Sequence, residues 1–448
     1  MARKMRDSGV EWIGEVPEGW EIGRIRSLFR EVSERYDAQS NNQLPLLSVS
    51  EYYGVAKRED KIKTGEVLVR AESLDGYKVC RAGDIVSNIM LAWKGALGFS
   101  PLSGIVSPAY SVYRPLKDVC SKYFHYLFRT DRYTDVFNKY STGIIASRLR
   151  LYSPEFYAIP AIIPPLPEQR RIADYLDEKC AAIDGAVGEL KRGIEDCKAW
   201  KKAIIFEAVT GKANVLAASA CAKATADKKS AKVAKRPMRD SGIPWIGDIP
   251  KGWRVSRVKE VATIKTGNTP DKQYQNEYYS TDSGVPWIKA ENLGFMVPIS
   301  QTAEYLTEKG VKQGRIFPPR TVFVCCIASI GKVGYSEKVA SCNQQLNALV
   351  FNSRMYWKYG FYVTIAAEEE YLVRASGNVV KILNSSEQGL IAVPLPSIPE
   401  QRAIADHLDE KCAAIDAMVA EKEALIADLE AYKKSLIYET VTGKREVA

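Results

Sequence analysis

The side chains best equipped for chemistry are few and scattered. Two histidines serve the whole chain, His125 and His407. A histidine is the usual acid–base group near neutral pH and a common zinc ligand. His125 lies among Tyr123, Phe124 and Tyr126, while His407 takes the place that Tyr175 holds in a repeated segment. Contexts so unlike make neither a triad nor a metal site, and both histidines read as structural. The nine cysteines are odd in number, two of them adjacent (Cys325, Cys326), and none is spaced as Cys-x-x-Cys. They read as reduced packing residues, Cys180 and Cys412 above all. Gly331-Lys332 lacks both the upstream glycine and the following hydroxyl of a phosphate loop. A Gly-x-Gly-x-x-Gly fingerprint is absent, as is the Asn/Asp-Pro-Pro-Tyr motif of amino-methyltransferases. No pair of carboxylates stands in a spacing that marks an acid and a base. The chain reads as a binder that holds no metal or cofactor of its own.

Charge narrows the class less than its total suggests. The formal net charge is +9, but Lys212–Arg236 holds six lysines and one arginine against Asp227, a net of +6. The remaining +3 is weak support for a polyanion partner. The charged stretch is rich in Ala and Lys and poor in large apolar residues, so it reads as a solvated tether, with phosphate contact as the alternative. No run of about 18 apolar residues occurs, which argues against a membrane span. The N-terminus lacks the apolar core of a signal peptide, so a cytoplasmic location is expected.

What must position any binding residues is a duplicated frame. Met5-Arg6-Asp7-Ser8-Gly9 returns as Met238-Arg239-Asp240-Ser241-Gly242, and Trp12 and Trp20 return as Trp245 and Trp253. Pro167-Glu168-Gln169-Arg170 returns as Pro399-Glu400-Gln401-Arg402, and Val209-Thr210-Gly211-Lys212 as Val441-Thr442-Gly443-Lys444. Offsets of 233 residues at the front and 232 at the back make this a domain-scale duplication, too long for a solenoid. The four tryptophans recur at matching places and read as anchors of the frame.

Each repeat closes on a helical arm. Leu176, Ile183, Val187, Leu190 and Ile194 fall at three- and four-residue steps, as do Leu408, Ile415, Val419, Ile426 and Leu429. Such seams, with charged residues on the other faces, predict long amphipathic helices that pair within the chain. Pro167 and Pro399 suit a first helical turn, Ser397 to Glu400 fits a capping box, and Gly211 and Gly443 mark the ends. About 40 residues at about 1.5 Å each give an arm of roughly 60 Å. Antiparallel pairing would give a pseudo-two-fold molecule with a globular domain at each end. Lys201 and Lys433 interrupt the seam and leave that part open to an outside partner.

Between the fixed points the halves share little. Short apolar runs at Asp84–Val86, Gly104–Val106, Thr321–Val324 and Ala348–Phe351 predict strands, with helices near Tyr123–Tyr140 and Arg354–Val373. The expected class is α+β, with variable domains at 1–163 and 238–396, arms at 164–212 and 397–444, and a linker at 213–237.

The segments Pro164–Gln169 and Pro394-Leu395-Pro396-Ser397-Ile398-Pro399-Glu400-Gln401 resemble the hallmark of DNA-specificity subunits of Type I restriction–modification systems. Leu46–Val55, Gly83–Val86, Met90-x-x-Trp93-x-Gly95 and Ser107–Tyr110 look like parts of a target recognition domain of that family. Lys265–Pro270, Val285–Lys289 and Asn343–Ala348 are similar in the second half. The resemblance runs through almost the whole chain, twice and in order. It departs only at Pro165-Leu166 and in the longer Ala/Lys linker.

The resemblance implies a non-catalytic subunit that reads a split, asymmetric target in double-stranded DNA. One variable domain would serve each half, and the arms would act as a ruler. It further implies two methyltransferase subunits, which use S-adenosylmethionine, and restriction/translocase subunits. Base edges and phosphates are met by Arg, Lys, Asn, Gln, Ser and Thr. Loop positions near glycine make Lys57, Arg58, Lys94, Arg148 and Arg150 the candidates in the first half. Lys289, Lys332, Asn343, Gln344 and Lys381 are those in the second. The alternative is a scaffold or inhibitor that occupies methyltransferase subunits without reading DNA.

Overall fold

A computed structural model describes residues 3–37, 44–61, 74, 76–116, 119–145, 148–215, 236–294, 296–377 and 380–447. The linker expected at 213–237 lies largely outside the described residues. The chain divides into two compact units, 1–190 with 424–448, and 191–423. The class is α+β, as the sequence led us to expect.

In each unit the repeated frame folds the same way. Met5–Asp7 pairs antiparallel with Glu15–Pro17, and Met238–Asp240 with Asp248–Pro250. The turns follow from their side chains: Asp7 accepts from the Gly9 amide at 2.9 Å, and Asp240 from the Gly242 amide at 2.8 Å. A second ribbon closes the frame, Glu21–Arg24 with Pro160–Ile163 and Arg254–Arg257 with Ala392–Leu395. Between the two strands of each such ribbon the variable domain is inserted.

The first variable domain is built on an antiparallel sheet ordered Phe29–Val32, Tyr110–Pro115, Ile85–Asn88, Leu97–Phe99. The second has the matching sheet Ala262–Thr266, Leu346–Phe351, Thr321–Cys325, Val333–Ser336. It also carries a five-stranded sheet with one parallel neighbour pair, Val285–Ile288 with Ala340–Cys342. Helices follow at Ser121–Phe128 and Asp131–Tyr140, and at Trp357–Ala366 and Glu368–Arg374. The first core is unusually aromatic, with Phe29, Phe124, Phe128, Tyr133, Phe137 and Phe156 in mutual ring contact.

The arms are helices of 44 residues each, Leu166–Val209 and Ile398–Val441, about 66 Å long at about 1.5 Å per residue. Pro167 and Pro399 sit in their first turns, where no amide donor is required. In the first unit, Glu168 and Gly443 both meet Trp20, while Asp184 meets Lys433 at 2.7 Å. In the second unit, Glu400 and Gly211 both meet Trp253, while Lys201 meets Asp416 at 2.6 Å. Within each unit the two arm segments therefore run antiparallel. Leu176, Ile183, Val187, Ile194, Leu408 and Ile415 are buried, whereas Leu190, Val419, Ile426 and Leu429 are half-buried.

Two local expectations need correction. Lys201 and Lys433 do not stand open for an outside partner, because each is held by an aspartate of the opposite arm. Glu400 does not close a capping box: its oxygens take the Trp253 indole at 3.0 Å and the Arg236 guanidinium. Glu168 does the same with Trp20 at 2.8 Å and Arg3 at 2.6 Å. A carboxylate at the positive helix end is thereby used to seat the frame tryptophan.

Candidate nucleic-acid interface

The repeated Glu-Gln pairs show how each arm fixes its variable domain. Gln169 is buried; its Oε1 accepts from the Cys120 amide at 2.9 Å and its Nε2 donates to the Pro164 carbonyl at 2.8 Å. Gln401 accepts from the Tyr356 amide at 2.7 Å and donates to the Pro396 carbonyl at 2.9 Å. Cys120 and Tyr356 are the N-caps of Ser121–Phe128 and Trp357–Ala366, so each glutamine satisfies an amide at a helix start.

The helices answer with a repeat that the sequence reading passed over. Lys122-Tyr123-x-x-Tyr126 recurs as Lys358-Tyr359-x-x-Tyr362. The Tyr123 hydroxyl donates to the Val441 carbonyl at 2.8 Å, and the Tyr359 hydroxyl to the Val209 carbonyl at 3.0 Å. Each thus satisfies a carbonyl at an arm's end. Tyr126 and Lys122 both bind Asp177, and Tyr362 and Lys358 both bind Asp409. Burial pushes the phenols up, and the carboxylate that accepts from Tyr126 and Tyr362 pushes further in the same direction. They remain neutral donors.

Mounted in this way, each sheet presents one end crowded with loops. In the first unit the described loop residues 50–54, 89–96, 107–109, 142–145 and 148–150 converge there. The Leu151 amide bonds the Ile89 carbonyl at 2.9 Å, tying two of them together. Arg129 ties two more, with Nη1 on the carbonyls of Ser50, Gly95 and Leu97 and Nη2 on that of Glu51 at 2.7 Å. Desolvation lowers the pKa of this guanidinium, whose charge is met by carbonyl dipoles. Beside it His125 is half-buried and accepts from the Phe99 amide at 3.3 Å, its pKa held down to about 3 chiefly by desolvation.

The second unit has the corresponding cluster. The Cys326 amide bonds the Gln345 carbonyl at 2.8 Å and the Leu383 amide bonds the Cys326 carbonyl at 2.9 Å. Thr269 donates to Gln344 across the same end. These joins bring together the described loop residues 266–270, 326–332, 343–345, 376–377 and 380–383.

The candidates divide accordingly. Lys94 is exposed, as is Arg148, and Arg150 is half-buried; all three belong to the first cluster. Lys57 and Arg58 lie at the open end of the hairpin Leu47–Ser50/Gly54–Lys57, whereas Arg129 holds its turn end. Lys332, Gln344 and Lys381 are exposed in the second cluster. Asn343 is buried there and bonds Gln345, and Lys289 is half-buried on Glu304 over the Trp287 ring. Lys332 also borders a groove of about 370 Å³ whose arm wall carries Lys198 and Lys202. Exposed Gln345 and the clamp Arg129 were missed by sequence reasoning.

Charge on these loops is positive except for Glu51 on the loop at 50–54. Residues 89–96, 107–109 and 142–150 include Lys94, Arg148 and Arg150 and no carboxylate. Residues 266–270, 326–332, 343–345 and 376–383 include Lys332 and Lys381 and again none. Among the described residues no three His, Cys, Asp or Glu side chains are grouped so as to hold a metal. No described helix is long and apolar enough to cross a membrane. Such a surface can bind anions and offer hydrogen bonds, and it holds no evident nucleophile.

A family model for the Type I restriction modification DNA specificity domain matches residues 250–426. The MjaVIII specificity subunit of a Type I restriction enzyme from Methanocaldococcus jannaschii is 25% identical over 96% of this chain and 94% of its own. The MjaIX specificity subunit of that organism is 31% identical over a shorter stretch, 36% of this chain and 38% of that protein. In fold, the HsdS subunit from Thermoanaerobacter tengcongensis matches with a TM-score of 0.52 at 18% identity, covering 96% of this chain and 98% of its own. A chain from a structure of complex assembly in the Type I R-M system reaches a TM-score of 0.68 at 18% identity, covering 95% and 98%. The duplicated frame, its two loop-bearing sheets and these likenesses agree: over almost its whole length the chain is similar to DNA-specificity subunits of Type I restriction–modification systems.

Proposed function

We propose that each unit reads one half of a split, asymmetric target in double-stranded DNA through the loops at its cationic sheet end, and that the arms set the gap between the halves. The observation that carries this reading is that equivalent loops in both units bear exposed lysines, with arginines in the first, against a single carboxylate, Glu51. Phosphates attract such a surface without regard to sequence, while Gln344, Gln345 and their neighbours offer the paired donors and acceptors that distinguish bases. Readers on one face of B-DNA sit near whole turns apart, about 34 Å each, a distance that helices of this length can span. Two methyltransferase subunits dock on this chain and methylate adenine from S-adenosylmethionine, which they bind. Restriction/translocase subunits complete the assembly. This chain selects the site and leaves the chemistry to its partners.

Modified-base sequencing of a host carrying this chain with its methyltransferase subunit, against a deletion of the chain, tests the reading. The expected result is a split adenine-methylation motif that disappears on deletion. Loss of no motif, with an active methyltransferase assembled on this chain, would favour a scaffold that does not read DNA.

A further inference from the structure

The first loop cluster holds side chains that neither fold nor charge explains. Ile144 is 98% exposed and Ile145 is 51% exposed. They project from a loop whose base is closed by two backbone bonds of 2.9 Å between Thr142 and Arg150. The Arg148 amide bonds the Ile145 carbonyl at 2.8 Å, which adds a turn just beyond the pair. At Gly143 a Cβ would come within 2.6 Å of the Arg148 carbonyl oxygen, so the close approach needs glycine. Two branched apolar side chains thus stand exposed next to a closed loop base. Single exposed apolar residues are ordinary, but the loop at 89–96, which the Leu151 amide joins, exposes Met90 and Leu91 as well.

The second unit repeats the device. Ser376 and Ile382 close the same loop base with bonds of 3.0 and 2.8 Å, and Gly377 makes the same close approach, to the Val380 carbonyl oxygen. Val380 and Ile382 are each 46% exposed on either side of Lys381.

An apolar pair on a loop that also carries Arg148 and Arg150, with Lys94 on the loop joined to it, complements a surface that is apolar at its centre and anionic around it. The major groove offers this wherever a thymine C5-methyl lies between two phosphate backbones. We propose that Ile144 and Ile145 form an apolar finger that packs on thymine methyl groups in the half-target read by the first unit. Arg148 and Arg150 hold the flanking phosphates. The proposal rests on the reading that this cluster faces DNA.

The test uses the assembled methyltransferase and the duplex target that methylation mapping supplies. Ile144→Ser with Ile145→Ser changes exposed positions only, so assembly should persist. The ratio of target to scrambled-duplex affinity should fall about tenfold or more, the range of one lost base contact, with the salt dependence unchanged. Replacing thymine by uracil in that half-target should weaken the wild type and leave the variant as it is. Arg148→Gln should weaken both duplexes alike and flatten the salt dependence. An unchanged affinity ratio, or a wild type indifferent to uracil, overturns the finger while leaving bipartite reading intact. Loss of assembly in the isoleucine variant also overturns it, since the tip would then face a protein. A wild type with no preference for a split target defeats the underlying reading instead.

Discussion

The residue that decides most in the first cluster is not a reader. Arg129 spends its guanidinium on four backbone carbonyls of two loops, at 50–51 and 95–97. A buried acceptor that loses its donor costs about 1–3 kcal/mol. Arg129→Met should therefore lower local stability by about 2–4 kcal/mol, allowing for partial rehydration of the freed carbonyls. Hydrogen exchange should show this as faster exchange around 50–54 and 95–98, with the second unit unaffected; uniform exchange would mean that the clamp is dispensable. His125 makes a second prediction at this scale. Burial lowers its pKa, the Arg129 charge adds to this and Asp177 opposes it, which leaves the pKa at about 3. Unfolded, the ring takes a proton near pH 6.5, so the folded state is favoured above that value and loses ground as pH falls below it. Between about pH 7.5 and about pH 5.5 the first unit should lose about 1.4 kcal/mol through this group. His125→Asn keeps an acceptor near Nδ1 and cannot titrate. Urea midpoints of the two proteins should diverge over that interval, and parallel curves would refute the assignment.

At the scale of elements, register between the arm segments is set by apolar residues and checked by charge. Lys201–Asp416 and Lys433–Asp184 are the same pair under the repeat, one in each unit. Side-chain exposures of 14% and 49% place the first pair at the margin of the seam, where ion pairs contribute roughly 0.2–1 kcal/mol. Lys201→Asp alone sets two carboxylates together and should cost more than that; adding Asp416→Lys should restore at least about 0.5 kcal/mol of it in a double-mutant cycle. Thermal unfolding would read this, and a coupling of zero would make the pair ornamental. The arms were legible in the sequence because their apolar spacing persists for some forty residues, and the strands because runs such as Thr321–Val324 end in turn residues. The hydroxyl contacts of Tyr123 and Tyr359 were not, since the Lys-Tyr-x-x-Tyr repeat lies inside segments that otherwise differ and is offset by 236 residues, not 232. Nor was Arg129, because a side chain that binds carbonyls needs no partner of any given type. Lys289 and Asn343 were legible as polar residues but not as spent ones, since Glu304 and Gln345 reach them only through the folded loops.

At the scale of the whole molecule, the frame shows where one reader ends and may be cut. An exchange of residues 40–150 would separate Phe29–Val32 from Tyr110–Pro115, its partner in the central sheet. The ribbon Glu21–Arg24/Pro160–Ile163 is a better border, because both of its strands belong to the frame and the variable domain lies wholly between them. Glu168 then keeps Trp20, which stays with the frame, while Gln169 and Asp177 meet a helix-start amide and a Lys-x-x-x-Tyr helix in any incoming domain that keeps those groups. Replacing residues 25–159 by the corresponding segment of a similar Type I specificity subunit should therefore preserve assembly. If each unit reads its own half of the target, methylation mapping will show one half-site changed, the other retained and the gap between them unaltered. Two linked readers share affinity through effective concentration, so a foreign half-target presented alone should bind far more weakly than the complete site. A change in both half-sites would show that specificity is a joint property of the two units. A change in the gap alone would move the ruler from the arms into the variable domains.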